Sequence, residues 1–536
     1  MPTLTLKTEE GERPYEFTVG HSVRYLLDAT DVQVRSGCRG TGGCGLCLVR
    51  VHAGEAGEPK LAEHLNLDED QLAQGVRLAC QIVPMDDMTV EVLARAPLSA
   101  WRFLEHENGL RPMRLERFPG HTLQPPVSVP YGVAIDLGTT HISVSVYHLS
   151  SGNWLAGRRG QNTQAAYGAD VITRLAAAVE SPAQADAMRK TVLDAIGDAL
   201  WDISTREGII LDQVVRLTLV GNTAMLSLLS GRNFHLLLQP SQWMSAIDCQ
   251  PTDTAAWARS WRIHPQAQID IIPPLAGFVG SDLLAGVVAT NLIAASGGML
   301  IDFGTNSEIA LWDGKTLWCT SAAGGPAFEG TGIRHGMPAE TGAIYRINFR
   351  EDGFGYAVIG DVEAQGICGS GLVDLIAGLI DSGNLSAVGK FAPGVPSGGF
   401  VLAHGARTIN FSLGDVDTFQ RAKAAIGVGI QVLLEYAGMS YDDLQRICVG
   451  GAFGHALNVC KAQRIGLLPP IAPARVELGG NTALAGSEEA LLSPSVLQEM
   501  RQISKQAKII NLSSYSNFDM LYMENLFLHP MHREQM

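Results

Sequence analysis

Four cysteines set among glycines have the types and spacing of an iron–sulfur ligand set. Cys38, Cys44 and Cys47 form a C-x5-C-x2-C run, and Cys80 follows in Arg77-Leu78-Ala79-Cys80-Gln81. A [2Fe–2S] cluster takes four thiolates, and three on one tight loop need a backbone that turns inward and aims its N–H groups at the sulfurs. Gly37, Gly40, Gly42, Gly43 and Gly45 supply that freedom. A structural zinc site usually pairs its cysteines as two short C-x-x-C-like units, and one such unit exists here. A disulfide framework is disfavoured because the total of nine cysteines is odd and the remainder are scattered.

A second group of residues has phosphate chemistry. Ile135-Asp136-Leu137-Gly138-Thr139-Thr140 recurs as Ile301-Asp302-Phe303-Gly304-Thr305-Asn306, each copy following an apolar strand-like run and leading into another. A hairpin turn of glycine and threonine offers backbone N–H groups and hydroxyls to phosphate oxygens, and the carboxylate just before it can order Mg²⁺ or its waters. A third element, Ile447-Cys448-Val449-Gly450-Gly451-Ala452-Phe453-Gly454, reads as a buried strand entering a glycine-rich turn. Such a turn either lets a purine and ribose lie against the backbone or simply packs a strand onto a helix. Other nucleotide folds are excluded. No G-x-G-x-x-G follows a strand, and Gly314-Lys315-Thr316 has Ile309 where a P-loop needs its first glycine. Asp313-Gly314 is instead a hairpin turn.

The elements that must position these residues follow from patterning. A chain of 536 residues exceeds one core, so two or three domains are expected. Residues 1–96 read as a β-grasp: strands near 3–7, 15–19, 48–51 and 88–93, with a helix over 22–28. Residues 97–130 hold Pro97, Pro112, Pro119, Pro125, Pro126 and Pro130 with little periodicity, which is linker chemistry. From 131 to 536 strand-like and helical runs alternate as in an α/β domain. The repeat implies two related lobes, lobe I over about 131–297 plus the C-terminal helices and lobe II over about 298–478. The uncharged stretch 283–301 is interrupted by Asn291, Ser296, Gly297 and Gly298, and reads as helix, glycine stop and strand rather than a membrane span. A net charge of −15 argues against nucleic acid or an anionic membrane as the main partner. The first residues lack an apolar run of signal-peptide type, and a thiolate cluster suits a reducing compartment, so a cytoplasmic location is expected.

The cysteine spacing resembles the longer-loop ferredoxins of monooxygenase chains. Joined to the duplicated Asp-x-Gly-Thr hairpins, it resembles the reductive activators of corrinoid proteins, in which a [2Fe–2S] domain precedes an ATPase domain of the acetate kinase, sugar kinase, heat-shock protein 70 and actin type. Val220-Gly221-Asn222-Thr223, Gly280-Ser281-Asp282 and Ser321 to Gly330 match that family as well. The resemblance implies that Cys38, Cys44, Cys47 and Cys80 hold the cluster, and that Asp136 and Asp302 serve Mg²⁺ and water. It further implies that Gly138, Thr139, Thr140, Gly304, Thr305 and Asn306 hold the phosphates of ATP, and Gly450, Gly451 and Phe453 the adenosine.

The implied activity is ATP-dependent, one-electron reduction of inactive Co(II) to Co(I) in the corrinoid protein of a methyltransferase system, fed by a low-potential electron donor. Ser321 would lie at the corrinoid interface, with a loop that only shapes the cleft as the alternative reading. Some family members carry an extra middle domain, for which residues 97–130 leave no room; if that domain helps to pair subunits, its lack puts in doubt the homodimer that the family otherwise allows. Two other classes of function fit the same residues: a redox-regulated small-molecule kinase, and a non-catalytic redox module that senses nucleotide.

Overall fold

The computed structural model describes residues 2–8, 11–28, 30, 32, 34, 42–43, 45–93, 101–104, 114–116, 123, 127–350, 353–404, 408–451 and 453–531. The chain divides into two compact units, Met1–Ala100 with Thr163–Glu180, and Trp101–Asn162 with Ser181–Met536. The expected boundary at residue 96 lies outside the described residues. Among the described residues no helix is long and apolar enough to cross a membrane.

The first unit carries a five-stranded sheet in the order Gly11–Glu16, Thr3–Thr8, Met88–Val92, Leu48–Ala53, Val76–Leu78. Alternation in Thr3–Thr8 puts Leu4 and Leu6 inside, and the helix Val23–Asp28 buries Val23 and Leu27 against them through its four-residue spacing. The second strand runs over Gly11–Glu16, earlier than the 15–19 expected from its apolar residues. Its partner is Thr3–Thr8 in antiparallel register, Thr8 facing Gly11 and Thr5 facing Pro14. It is an edge strand, where a proline without an N–H is tolerated. Patterning did not reveal the short helix Leu61–Asn66.

Two six-stranded sheets in the second unit share one plan. The first runs Gln268–Ile271, Val214–Gly221, Tyr131–Leu137, His141–His148, Asn153–Gln161, Arg102–Phe103, and the second Val476–Gly480, Arg446–Gly451, Gly298–Phe303, Ser307–Trp312, Leu317–Ala322, Ala507–Ile509. In each, a central strand pairs parallel with a neighbour on one side and antiparallel with its own hairpin partner on the other. The repeat seen in the sequence is thus a repeat of sheet topology. Three segments depart from expectation. Arg102–Phe103, inside the presumed linker, adds to the first sheet beside Arg158 and Arg159. Glu116, also in that stretch, accepts hydrogen bonds from the Ser495 backbone N–H and hydroxyl at 3.1 and 2.7 Å. The C-terminal elements do not all join lobe I, because Ala507–Ile509 covers the otherwise open edge of Leu317–Ala322 in the second sheet.

Two helices carry the chain between the lobes. Ser281–Ala289 leads from the first sheet towards the strand Gly298–Phe303, with the turn at Gly297 in between, as the sequence suggested. Thr482–Leu492 returns from the second sheet and packs on Tyr131–Leu137, Val214–Gly221 and Ser281–Ala289. A Cβ on Gly486 would lie 2.1 Å from the Ala285 carbonyl oxygen, so the two helices touch backbone to backbone. That close crossing brings both helix starts to the cleft between the sheets.

Candidate functional site

Register places the two repeat aspartates equivalently. Asp136 lies opposite Val220 on one side and Ser143 on the other; Asp302 lies opposite Gly450 and Glu308. Each sits near the C-terminal end of its central strand, and the Gly-Thr turn follows. Every residue expected at the nucleotide, except Gly450, lines one cavity of about 400 Å³. Gly450 lies just behind it, where a Cβ would come within 2.8 Å of the Thr482 hydroxyl and 3.3 Å of an Asp302 oxygen. Gly451 has φ +83°, and a side chain there would strike Asp302 and the Phe303 carbonyl at 2.5 Å, so only glycine fits.

The cavity is acidic, and sequence reasoning assigned two of its five acids, Asp136 and Asp302. Asp282 and Glu308 line it beside Asp136 and Asp302. Burial pushes Asp136 up to about 6 and Asp302 up to about 7, with the neighbouring Asp136 charge adding to the rise at Asp302. Asp282 is likewise lifted to about 7 by burial and by Asp136 and Asp302. Glu308 is raised well above the usual carboxylate range by burial and by Asp282. Three N-terminal helix ends face these acids: Asn222 caps Thr223–Ser230, Gly280 precedes Ser281–Ala289, and Asn481 caps Thr482–Leu492. Their partial positive charge offsets part of the repulsion. The Gly280 N–H donates to Glu308 at 3.1 Å, and Asn481 Nδ2 donates to Asp136 at 2.8 Å.

Such crowded carboxylates suit a divalent cation that displaces their protons. Among the described residues no three His, Cys, Asp or Glu side chains are grouped to hold one ion. Mg²⁺ would rest on one or two of these carboxylates and on phosphate oxygens and water, its usual arrangement with nucleotides.

The hydroxyls of the two turns are already ordered. Asn222 Nδ2 donates to Thr139 Oγ1 at 2.9 Å, and Asn162 Nδ2 to the Gly138 carbonyl at 2.8 Å. Thr140 and Thr305 each donate to Glu329 at 2.8 Å. His141 and Arg159 complete the rim: Arg159 lies 3.2 Å from His141 Nδ1, whose other nitrogen is 3.7 Å from Glu340. Phe453 lines the cavity, yet it is buried and its ring packs 4.7 Å from Phe303 and 5.4 Å from Phe328. It forms a wall rather than a free stacking face. Ser321 is half-buried on Leu317–Ala322, directly across the ladder from Glu308. Asn222, Asp282, Glu329 and Asn481 were missed as site residues because they fall outside the repeat. Asn222, Asp282 and Glu329 do lie in the short matched stretches, and an Asn directly before a helix was a readable cap signal.

Of the cluster cysteines, Cys38 and Cys44 lie outside the described residues. Cys47 and Cys80 are both buried, and the Ala79 N–H bonds to the Cys47 carbonyl at 2.8 Å, which brings the two segments side by side. Gln81 Nε2 donates to Cys80 Sγ at 3.2 Å. Gly42 and Gly45 adopt φ +87° and +65°, and Cβ atoms there would meet Ala62 at 2.5 Å and Asn66 at 2.7 Å. Gly42 and Gly45 therefore lie tightly on the helix Leu61–Asn66, and Asn66 Nδ2 donates to the Gly42 carbonyl at 3.0 Å. Buried thiols, an N–H aimed at sulfur and a left-handed glycine loop suit a [2Fe–2S] cluster.

Comparison with known proteins agrees with this geometry. Residues 8–85 match the 2Fe-2S iron-sulfur cluster binding domain, residues 131–295 the RACo middle region, and residues 297–536 the C-terminal domain of RACo, the ASKHA domain. The middle-region match starts directly after the linker and coincides with the stretch read as lobe I. This corrects the expectation that the short linker excludes that region. The chain is 31% identical over 438 residues to the "Corrinoid activation enzyme RamQ" of Eubacterium limosum, covering 77% of this chain and 72% of the relative. It is 27% identical over 427 residues to the "[Co(II) methylated amine-specific corrinoid protein] reductase" of Methanosarcina barkeri, covering 73% and 76%. A solved "Reductive activator for corrinoid,iron-sulfur protein" superimposes with TM-score 0.68 at 27% identity over 99% of both chains.

Proposed function

We propose a function from one premise: this chain belongs to the family of reductive activators of corrinoid proteins. Its reaction is ATP-dependent, one-electron reduction of Co(II) in a partner corrinoid protein to Co(I). The observation that carries the reading is the pairing, on one chain, of a cluster-type cysteine loop with a two-lobed cleft that presents the same Asp–Gly–Thr hairpin twice.

Physics gives each half a task. A [2Fe–2S] cluster held by Cys38, Cys44, Cys47 and Cys80 supplies one electron at a time. Co(I) is a strong reductant, so this transfer runs uphill, and each 100 mV of mismatch costs ~2.3 kcal/mol. ATP can offset a cost of that size by binding one lobe arrangement better than another. Thr139, Thr140, Thr305 and the turn N–H groups would orient the phosphates. Asp136 and Asp302, with Mg²⁺, would place the water, and Asn481 and Thr482 hold those carboxylates. Adenosine would lie against the backbone at Gly451, with Gly450 packed behind it on Asp302 and Thr482, and Phe453 would close that end. Ser321 would lie at the corrinoid interface, and a separate low-potential donor would recharge the cluster.

The test uses the full chain with its cluster reduced and a corrinoid protein from a methyltransferase system in the Co(II) state. Co(I) absorbance should rise with ATP and stay flat without it. Asp136→Ala and Asp302→Ala should abolish both hydrolysis and cobalt reduction while the cluster spectrum persists. ATP-independent reduction, or transfer of phosphate to a small molecule instead, would overturn the proposal.

A further inference from the structure

One carboxylate joins the two phosphate hairpins. Thr140 from the first lobe and Thr305 from the second both donate to Oε2 of Glu329 at 2.8 Å, and the two hydroxyls are 2.9 Å apart. A single acceptor oxygen thus sits where the lobes meet, in a cavity already lined by Asp136, Asp282, Asp302 and Glu308. Placing a further acid there is costly, and charge-assisted hydrogen bonds from both threonines are what hold it.

The placement is built into the backbone. Glu329 ends the 3₁₀ turn Gly325–Glu329. A Cβ on Gly325 would lie 1.6 Å from the Gly304 carbonyl oxygen, so the turn is pressed against the second hairpin itself. At its other end Gly330 has φ +88°, and a Cβ there would meet the Met337 nitrogen at 2.3 Å. The glutamate is therefore aimed at the hairpins by two contacts that only glycine permits.

Resting on the nucleotide reading of this cleft, we propose that Glu329 is an internal competitor for the terminal phosphate of a nucleoside triphosphate. The carboxylate and a phosphate are both anions that accept from the same two hydroxyls. A triphosphate long enough to touch both hairpins must take Thr140 and Thr305 from Glu329, and then repels it. A diphosphate lacks the group that reaches the junction and leaves the lock in place. Glu329 thereby weakens binding of triphosphate but not of diphosphate, and couples release of the lock to the triphosphate state. Its release also acts on the turn that continues from the strand bearing Ser321, which ties the nucleotide state to that segment.

The test compares full-length wild type with Glu329→Gln and Glu329→Ala, in Mg²⁺, by titration with ATP and separately with ADP. Glutamine keeps an acceptor for both threonines but removes the charge that opposes phosphate. Glu329→Gln should bind ATP about tenfold more tightly, equivalent to about 1.4 kcal/mol, while ADP affinity changes less than threefold. Glu329→Ala should show the same selectivity change, with cluster absorbance and melting temperature reporting that both variants fold. Equal tightening for ATP and ADP, or no tightening for ATP, would overturn the role of Glu329 alone. Failure of the wild type to bind either nucleotide would instead remove the reading of the cleft, and this proposal with it.

Discussion

Asp136 and Asp302, one from each lobe, are held by consecutive residues at the start of a single helix: Asn481 donates to Asp136 at 2.8 Å and Thr482 to Asp302 at 3.2 Å. The two halves of the cleft are therefore registered by one point of the chain. Ser487, further along that helix, donates to the Thr218 and Ile135 carbonyls and ties it to the first sheet. Any relative movement of the hairpins must be taken up around the Asn481-Thr482 step.

Asn481 has two jobs that substitution can separate. Its Oδ1 caps the helix by accepting from the Leu484 N–H at 2.9 Å, while its Nδ2 positions Asp136. Asn481→Ala should lose about 1 kcal/mol of stability through the cap. Serine caps as well as asparagine but cannot reach Asp136, so Asn481→Ser should keep the melting temperature. Both variants should lower ATP hydrolysis by about tenfold or more, since small misplacements of reacting groups are costly. Normal hydrolysis in Asn481→Ser would show that Asp136 needs no such partner.

The raised carboxylates give a pH dependence with a definite sign. Asp136 at about 6 and Asp282 and Asp302 at about 7 keep protons in the folded protein that the unfolded chain has lost. Between about pH 4 and pH 7 the folded state binds more protons, so these groups make stability fall as pH rises. Asp302→Asn removes one of them. Its melting temperature relative to wild type should climb from pH 5 to pH 8, and Mg²⁺ should stabilise wild type more at pH 8 than at pH 5. A difference that is flat with pH would mean that Asp302 titrates normally.

How much of this was legible in the sequence depends on what each residue leans on. Asp136 and Asp302 declared themselves because a duplicated turn repeats its residue types. Asp282 and Glu329 reach the same cleft from a helix start and a 3₁₀ turn outside the repeated motif, and Glu308 from a hairpin partner strand whose counterpart carries Ser143 opposite Asp136, so no repeated residue type marks them and only folding brings them together. Phe453 shows the opposite limit. Its place after Gly450 and Gly451 put it at the adenosine end, but the aromatic side chains it packs on, Phe303 and Phe328, are distant in sequence. Three of the five β-grasp strands were readable in place, whereas Gly11–Glu16 was expected too late and Val76–Leu78 was not expected, and the five- and six-residue helices Glu69–Ala73 and Leu61–Asn66 are too short for a helical period to stand out.

Cys80 and Gln81 make a paired prediction for the cluster. Cys80→Ala should remove the visible charge-transfer bands and most of the iron and acid-labile sulfide, because one of four thiolates is lost. Gln81→Leu should retain the colour but shift the reduction potential to a more negative value, because the Nε2–H aimed at Cys80 sulfur favours the more negatively charged reduced state. Redox titration followed by absorbance reads both. An unchanged potential in Gln81→Leu would remove that hydrogen bond from the tuning of the cluster.

A buried ion pair of the first unit, Glu63 with Arg77, supports the same segment. Glu63 is fully buried, and its carboxylate accepts from Arg77 Nε and Nη2, each at 2.8 Å, and from the Lys60 and Leu78 N–H groups at 3.0 Å. Burial alone would raise its pKa, but the Arg77 bonds and the two backbone donors outweigh it and leave the carboxyl below its ordinary value. Its contribution is therefore full at neutral pH and is lost as pH falls below about 4. Glu63 lies on the helix whose Asn66 holds Gly42 of the cysteine loop, so loosening the ion pair should reach the cluster. Glu63→Ala strands Arg77 in the interior and should cost about 3–5 kcal/mol. Bleaching of the visible bands on heating should then occur at a lower temperature than in wild type. Replacing both partners, Glu63→Met with Arg77→Met, removes the stranded charge and should recover most of the loss. If Glu63→Ala bleached at the wild-type temperature, the helix would not be what holds the loop; if the double variant bleached as early as the single one, the hydrogen bonds to Lys60 and Leu78, rather than the charge on Arg77, would carry the support.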